Sequence, residues 1–142
     1  MSNDRYWTDY SAWGSRFDIA QLLRRAAPHS QHSTWYRGET TQYGVATTSG
    51  ISIVVFGGGS EAQLARAVRR FLVRERRFLR AVHRAATPSL NHGLSTTLFV
   101  PDDQVQPIGV HLPVDVIALL ASVGSTWRVG AMPCFADGHP KL

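Results

Sequence analysis

Residues 60–86 read SEAQLARAVRRFLVRERRFLRAVHRAA, and this stretch decides how the chain folds. With a rotation of about 100° per helical residue, its apolar residues fall on one side and its eight arginines on the other. The pattern predicts one long amphipathic helix that lies on a core with its arginines toward solvent. Ser60 with Gln63 fits a capping box. Thr87-Pro88 ends the helix, because proline disfavours a helical conformation in the residue before it.

One residue interrupts the apolar side of this predicted helix. Glu75 falls near its middle, between Leu72 and Phe78. We expect a drift in helical register to leave Glu75 at the rim of the core beside an arginine. A buried carboxylate would instead need a partner such as Arg128 or the Trp127 indole N–H, because unpaired burial of a charge is costly.

The composition is that of one globular domain. The chain has 142 residues, of which 44% are hydrophobic and 18% charged. A chain of this length can bury about two-thirds of the surface that it exposes when unfolded. The single cysteine excludes an internal disulfide and favours a reducing compartment. Neither a signal peptide nor an apolar run of roughly 18 residues, long enough to span a membrane, is present, so we expect a cytoplasmic protein.

The positive charge is concentrated on the predicted helix. The chain has a formal net charge of +5. Residues 60–86 carry eight arginines and two glutamates, whereas the remainder carries seven basic and eight acidic residues. A one-sided field of this kind attracts acidic partners. Lys141 is the only lysine, and guanidinium groups bind carboxylates and phosphates through two parallel hydrogen bonds.

The chain before the long helix predicts strands and one short helix. Four large aromatic residues lie near the N-terminus, and we expect a strand around Tyr10 to Gly14. SRFDIAQLLRRAAP (15–28) predicts a first helix with Ser15 or Asp18 as its cap. The following residues, 29–42, have the composition of a loop.

Two apolar runs flank a predicted turn. YGVATT (43–48) and ISIVVF (51–56) predict a hairpin around Ser49-Gly50. Both faces of the second run are apolar, so we expect this strand in the centre of the sheet. A turn at Asn91-His92-Gly93 then leads into the strand LSTTLFV (94–100). The long helix forms the crossover between the last two strands.

The C-terminal part predicts another helix and strand. LPVDVIALLASVG (112–124) is apolar on nearly all sides, so we expect a well-buried helix. Pro113 suits its first turn and Gly124 its C-terminal cap. A short edge strand is expected at residues 106–110, and TWRVGAM (126–132) supplies the last strand.

These elements define the expected architecture. The fold class is α+β, with a small mixed or antiparallel sheet of about five strands packed with one long and two shorter helices. Residues 1–142 form a single domain. Residues 1–9 and 133–142 are expected to be partly ordered tails.

A glycine-rich turn precedes the long helix. Gly57, Gly59 and Ala62 fit the G-x-G-x-x-A spacing, in which a helix N-terminus offers free N–H groups to a phosphate. The ribose-binding acid expected about 20 residues further on is missing, because arginines occupy that region. A tight strand-to-helix turn is the preferred interpretation, and we expect no cofactor.

The histidines and the cysteine suggest no catalytic or metal site. His29 and His32 are close enough in sequence to share a metal, but no cysteine or H-E-x-x-H pattern accompanies them. A nucleophile pair of Cys134 with a histidine would need a base and an oxyanion hole, and no motif for either is present. A small enzyme is therefore the least favoured class.

The order of several short apolar segments along this chain is similar to that in a known group of domains. The layout of the chain resembles that of small bacterial domains found among toxin-immunity genes. The segments that carry the resemblance are, in order, FDIAQLL (17–23), STWYRGE (33–39), a strand, a long helix and LPVDVIALLASVG-STWRV (112–129). The resemblance extends from Tyr10 to Met132. It implies a cytoplasmic immunity protein of the contact-dependent growth inhibition type. Such a protein binds and neutralises a cognate toxin, the C-terminal domain of a larger secreted protein, without cofactors or catalytic residues.

The residues expected to bind a partner are the arginines of the long helix, an aromatic pair and an acidic pair: Arg66, Arg70, Arg74, Arg77, Arg84, Trp35, Tyr36, Asp102 and Asp103. Immunity proteins against nucleases are often acidic, whereas this chain is basic. Either the toxin is acidic, or the contact uses the rest of the surface, where Asp102, Asp103 and Asp115 lie.

A nucleic-acid-binding protein is the alternative. The arginine face of helix 60–86 could neutralise phosphates, with Trp35, Tyr36 or Trp127 stacking on bases. No helix-turn-helix, RNA-binding strand motif or zinc module accompanies these residues. The protein-binding interpretation therefore comes first, and no membrane partner is expected.

Overall fold

The structure, a computed structural model, describes residues 5–101 and 110–134. Within these ranges it contains four helices, a five-stranded mixed sheet and a two-stranded sheet. The helices are α1 (Ile19–Ala26), α2 (Glu61–Arg74), α3 (Arg76–Ala85) and α4 (Val114–Val123). The strands are β1 (Tyr6–Gly14), β2 (Ser33–Trp35), β3 (Thr40–Thr41), β4 (Gly44–Val45), β5 (Ser49–Gly58), β6 (Asn91–Pro101) and β7 (Trp127–Cys134). The predicted α+β class is confirmed.

The five-stranded sheet has the order β2-β5-β1-β6-β7. Its central strand β1 pairs antiparallel with β5 and β6, β2 pairs antiparallel with β5, and β7 runs parallel to β6. Strands β5 and β6 therefore point the same way on either side of β1, and α2 with α3 forms the predicted crossover between them. Strand β1 begins at Tyr6, inside the segment expected to be a tail.

All four helices pack on one face of this sheet. A single cluster of buried residues combines inward-facing strand residues with residues of every helix. Tyr10 of β1 lies at its centre, with ring centroids 5.8 Å from Phe71 and 5.9 Å from Phe78. Burial of the alternate residues of β1 from Tyr6 to Gly14 fixes its register, since a shift by one residue would turn every side chain to the other face.

The predicted long helix is two helices. Helix α2 ends at Arg74 and α3 begins at Arg76, with Glu75 between them at φ −100° and ψ 17°. The Glu75 side chain is fully buried, so the expectation of a rim position was wrong. Neither expected partner, Arg128 or Trp127, is involved.

Glu75 is held by the backbone that follows α1. Its carboxylate accepts the N–H of His29 at 3.0 and 2.9 Å, and the N–H and hydroxyl of Ser30 at 3.0 Å each. The Arg74 guanidinium lies 3.7 Å away. A buried carboxylate with this many donors costs little to bury, because hydrogen bonds replace the lost water. The departure from helical geometry at this residue therefore coincides with an anchor between α2, α3 and the segment after α1.

The predicted hairpin around Ser49-Gly50 was wrong. Ser49 and Gly50 belong to β5, whose neighbours are β1 and β2. Gly44–Val45 pairs instead with Thr40–Thr41 in the two-stranded sheet. The loop expected at residues 29–42 therefore contains β2 and β3. The strand that contains ISIVVF has a neighbour on each side, as expected of an inner strand, although the middle strand of the sheet is β1.

Two further details differ from expectation. Asn91, His92 and Gly93 are the first residues of β6 rather than a turn. Helix α4 is only half buried, since Val114 is 82% and Ile117 50% exposed.

The expected caps at Asp18 and Gly124 are present, because the Asp18 carboxylate accepts the Gln21 N–H at 3.0 Å and Gly124 is left-handed at φ 69°. The edge strand expected at residues 106–110 lies largely outside the described residues.

Candidate functional site

One face of the five-stranded sheet is not covered by any described helix. We call it the open face. Strand register places the same-facing residues of adjacent strands side by side, so the open face carries these residues: Trp35 of β2, Val54 of β5, Trp7, Asp9 and Trp13 of β1, Ser95 of β6 and Arg128 of β7. Val54 is 59% and Trp7 39% exposed. This arrangement differs from the helix-covered face, where the corresponding residues are buried.

A polar row crosses the open face near its middle. Asp9 pairs with Val54 on one side and with Ser95 on the other, and Ser95 pairs with Arg128. Asp9, Ser95 and Arg128 line a shallow cavity of about 190 Å³ together with Trp13. Burial raises the pKa of Asp9 above its ordinary value, and a hydrogen bond with the Trp7 side chain opposes this in part. Asp9 is thus a half-buried acid within a mainly uncharged surface.

Tryptophans frame this polar row. Trp13 and Trp35 both lie over Gly50, since a Cβ at Gly50 would meet Trp35 Cζ2 at 2.3 Å and Trp13 Cβ at 2.8 Å. The Trp35 indole N–H donates to Thr48 Oγ1 at 3.2 Å. The Trp35 ring is thus positioned by a hydrogen bond and by close contact with Gly50. A second depression, of about 780 Å³, lies at the β2 edge between Pro28, His32 and Val54.

The predicted arginine face divides at Glu75. Arg66, Arg70 and Arg74 are exposed on α2, whereas Arg77 and Arg84 lie on α3 and line a cavity against α1. The remaining arginines of these helices include two that contact α4. Arg69 forms an ion pair with Asp115, and Arg80 Nε donates to the Ser122 carbonyl at 3.3 Å. Part of the basic surface therefore serves to join the helices.

The predicted partner-binding residues do not form one surface. Trp35 belongs to the open face, and the arginines belong to helices on the opposite side of the sheet. Tyr36 follows β2 and is 37% exposed. Trp127 faces the core, where its indole N–H donates to Thr96 Oγ1 at 2.7 Å, so it is not free to stack on a base. Asp102 and Asp103 lie outside the described residues.

The helix N-terminus after the glycines is already occupied. Ser60 Oγ accepts the Gln63 N–H at 3.3 Å, which confirms Ser60 as the N-cap, one of the two bonds of the predicted capping box. The Glu61 carboxylate in the first turn accepts hydrogen bonds from the His111 backbone and lies 2.9 Å from its Nδ1. These contacts lower the pKa of Glu61, the backbone hydrogen bond most of all. A fixed carboxylate here disfavours a bound phosphate.

The histidines do not gather around a common point in the described part of the chain. His32 Nδ1 lies 3.0 Å from the Ser30 carbonyl, and the His29 N–H is taken by Glu75. No group of three potential metal ligands is found among residues 5–101 and 110–134. The side chain of Cys134, the other predicted candidate, lies outside the description. His29 and His32 therefore belong to no such group within the described residues.

Comparison with known proteins gives no family for this chain. No protein-family model matches it, and no curated protein matches it significantly. None of the described helices is long and apolar enough to cross a membrane.

The sequence contained a signal for the open face that the prediction missed. In β1 the residues Tyr6, Thr8, Tyr10 and Ala12 alternate with Trp7, Asp9, Ser11 and Trp13, so both faces carry large residues but only the second set includes a charged one, Asp9. Alternation of this kind is typical of a strand covered on one side. Arg128 gave no such signal, because only the parallel pairing of β6 and β7 brings it to this face.

Proposed function

We propose that this protein is a non-catalytic protein-binding module, and that its partner docks on the open face. The observation that carries the proposal is the side of the five-stranded sheet that no described helix covers, with Trp7 and Val54 exposed around Asp9 and Arg128. Tryptophan and arginine are the residue types most enriched at the energetic centres of protein interfaces. A half-buried acid among them supplies specificity more than affinity.

The partner proposed here is a bacterial toxin domain, which makes the protein an immunity protein. The resemblance in layout supports this partner. The separation of surfaces removes one objection to it, since the net positive charge lies on α2 and α3 and the open face lies on the other side of the sheet. A basic toxin can therefore dock without meeting the exposed arginines of α2.

The alternative, a nucleic-acid-binding protein, gains less support. Binding to a single strand combines a basic groove with aromatic rings on the same surface. In this fold Trp35 and the helix arginines face opposite ways, and Trp127 is hydrogen-bonded within the core.

The test begins with a search of the neighbouring genes for one that encodes a large secreted protein, and uses the C-terminal fragment of that protein. Mixed with that fragment at about micromolar concentration, the protein is expected to form a complex and to suppress its toxicity. Val54→Asp places a charge on the open face, and Val73→Asp, on α2, is the matched control because the two valines are 59% and 51% exposed. Val54→Asp should weaken binding about tenfold or more, through burial of an unpaired charge, and Val73→Asp should not.

Two results would reject the proposal. Absence of a complex would reject the immunity function, and weakening by Val73→Asp alone would reject the open face as the docking surface. Salt-dependent binding of generic RNA or DNA, lost when Arg66, Arg70 and Arg77 are replaced by alanine, would favour the nucleic-acid alternative instead.

A further inference from the structure

A second surface, independent of the open face, lies between α1 and α3. There the structure forms a groove of about 520 Å³, which we call the arginine groove. Its walls include Leu22 of α1 and Ala81 of α3, and Leu90 closes it beyond the end of α3. A volume of this size falls within the range of roughly 300–1,000 Å³ that is usual for small-molecule sites.

Four arginines line the groove: Arg16, Arg25, Arg77 and Arg84. They form two pairs. At one end Arg77 Nη2 donates to the Arg25 carbonyl at 2.7 Å. At the other end Gly14, the last residue of β1, approaches Ser89 so closely that a Cβ would lie 3.1 Å from its carbonyl oxygen, and Arg16 and Arg84 line the groove together with these two residues.

The two pairs are separated by the length of two helical turns. Arg77 and Arg84 are seven residues apart on α3, which corresponds to about 10 Å along the helix. Arg16 precedes α1, and Arg25 lies in its last turn. Because α1 and α3 run antiparallel, each end of the groove has one arginine from each side.

The charge of the groove is not balanced by the protein. The one carboxylate in its lining is Asp18, and its Oδ1 accepts the Gln21 N–H that caps α1. No ion pair joins any of these four arginines to an acid in the described part of the chain. Four guanidinium groups around one cavity repel one another, and an anion would relieve that repulsion.

The lining of the groove also includes apolar side chains, which we call its floor. Phe17, Leu22 and Leu90 line it between the arginines, and Phe17 and Leu90 are partly exposed. An inorganic anion would leave this floor unused, whereas a ligand with a flat apolar ring and several phosphates would use both features. Arginine binds phosphate oxygens bidentately and also stacks on rings.

We infer that the arginine groove binds a nucleoside polyphosphate. The phosphates contact Arg16 and Arg84. The guanidinium groups of these two arginines form no hydrogen bond with any described residue. The base lies on the apolar floor toward Arg25 and Arg77. This site does not rest on the proposed immunity function, because the groove and the open face lie on opposite sides of the sheet.

The test is isothermal titration of the full chain with ATP and GTP at about 0.15 M salt, where exposed charges are largely screened. The double variant Arg16→Gln/Arg84→Gln should weaken binding about tenfold or more, since it removes two charge-assisted contacts. Arg66→Gln/Arg70→Gln, which removes the same charge from exposed positions on α2, should change the affinity less than about twofold. Unchanged circular dichroism and melting temperature in both variants show that the fold is kept.

Three results would overturn the inference. The first is the absence of nucleotide binding, and the second is equal weakening of binding by the two double variants. The third is that tripolyphosphate binds as tightly as ATP, because the floor would then contribute nothing to the affinity. A single-stranded RNA that binds more tightly than ATP and depends on Arg16 and Arg84 would also overturn it in favour of a nucleic-acid site. None of these results bears on the Val54→Asp comparison.

Discussion

Both carboxylate oxygens of Glu75 accept the backbone N–H of His29, at 3.0 and 2.9 Å. The two residues are 46 positions apart in the chain. The contact joins the break between α2 and α3 to the segment that links α1 to β2. A charged side chain within the apolar side of a helix is therefore a tertiary anchor in this protein.

Replacement of Glu75 by glutamine tests this anchor. The glutamine NH₂ group cannot accept a hydrogen bond, and because the His29 N–H contacts both carboxylate oxygens, the NH₂ group faces this donor in either orientation of the amide, in a buried place. We expect the free energy of unfolding to fall by about 2 kcal/mol and the melting temperature by several degrees. Glu39→Gln, at an exposed carboxylate, should have little effect in the same urea and thermal unfolding measurements. Equal stability of Glu75→Gln and the native chain would contradict the assigned role.

Gly50 provides a test of the open face. A Cβ there would lie 2.3 Å from Trp35 Cζ2 and 2.7 Å from the Ala12 carbonyl oxygen, so Gly50→Ala must displace the ring. We expect a loss of about 1–3 kcal/mol, the usual cost of overpacking, and an altered Trp35 fluorescence. Gly130→Ala is the control, because a Cβ at Gly130 would meet nothing within 4 Å. A Gly50→Ala protein as stable as Gly130→Ala would show that the ring is not held there.

The lowered pKa of His92 predicts that the free energy of unfolding depends on pH. Burial, and to a smaller extent the charge of His83, lower the pKa of His92 below 6.5. Between the lowered pKa and 6.5 the unfolded chain binds more protons than the folded protein. The free energy of unfolding should therefore fall as the pH decreases through 6.5 and level off below the folded pKa. Urea unfolding from about pH 8 to pH 5 checks this, and His92→Gln should reduce the slope; an identical slope would contradict the prediction.

For the carboxyl group of Asp9 we predict the opposite pH dependence of the free energy of unfolding. Burial raises its pKa above 3.8, so the folded protein favours the protonated form and ionised Asp9 reduces stability at neutral pH. Asp9→Asn should raise the free energy of unfolding at about pH 7, and the gain should shrink as the pH falls through the raised pKa of folded Asp9 toward the unfolded value of 3.8. The same variant should weaken partner binding on the open face. A less stable Asp9→Asn protein at neutral pH would contradict the assignment.

Local chemistry made several elements predictable. The spacing of Leu64, Val68, Phe71 and Phe78 identified the core side of α2 and α3, because a helix brings residues three and four apart onto one face. Asp18, Ser60 and Gly124 identified helix ends for the same reason, since a cap acts on backbone within a few residues of itself. The charge asymmetry of residues 60–86 was also visible without a structure.

Contacts between distant segments decided which strands pair and where Glu75 lies. Ser49-Gly50 looked like a turn, but β1 and β2 pair with the strand that begins at Ser49, and no local pattern specifies that partner. In the same way, Glu75 looked like a rim residue because its donors lie on a remote segment.

What the sequence by itself determined is which stretches are helical, the caps at Asp18, Ser60 and Gly124 and the basic charge of residues 60–86, because these depend on residues near one another in the chain. Only the tertiary structure decided that Asp9 and Arg128 share an open sheet face and that Arg16 and Arg84 line one groove. Strand order and helix packing bring these residues together across 119 and 68 positions, and the free energy of such contacts arises from burial that no short window of sequence contains.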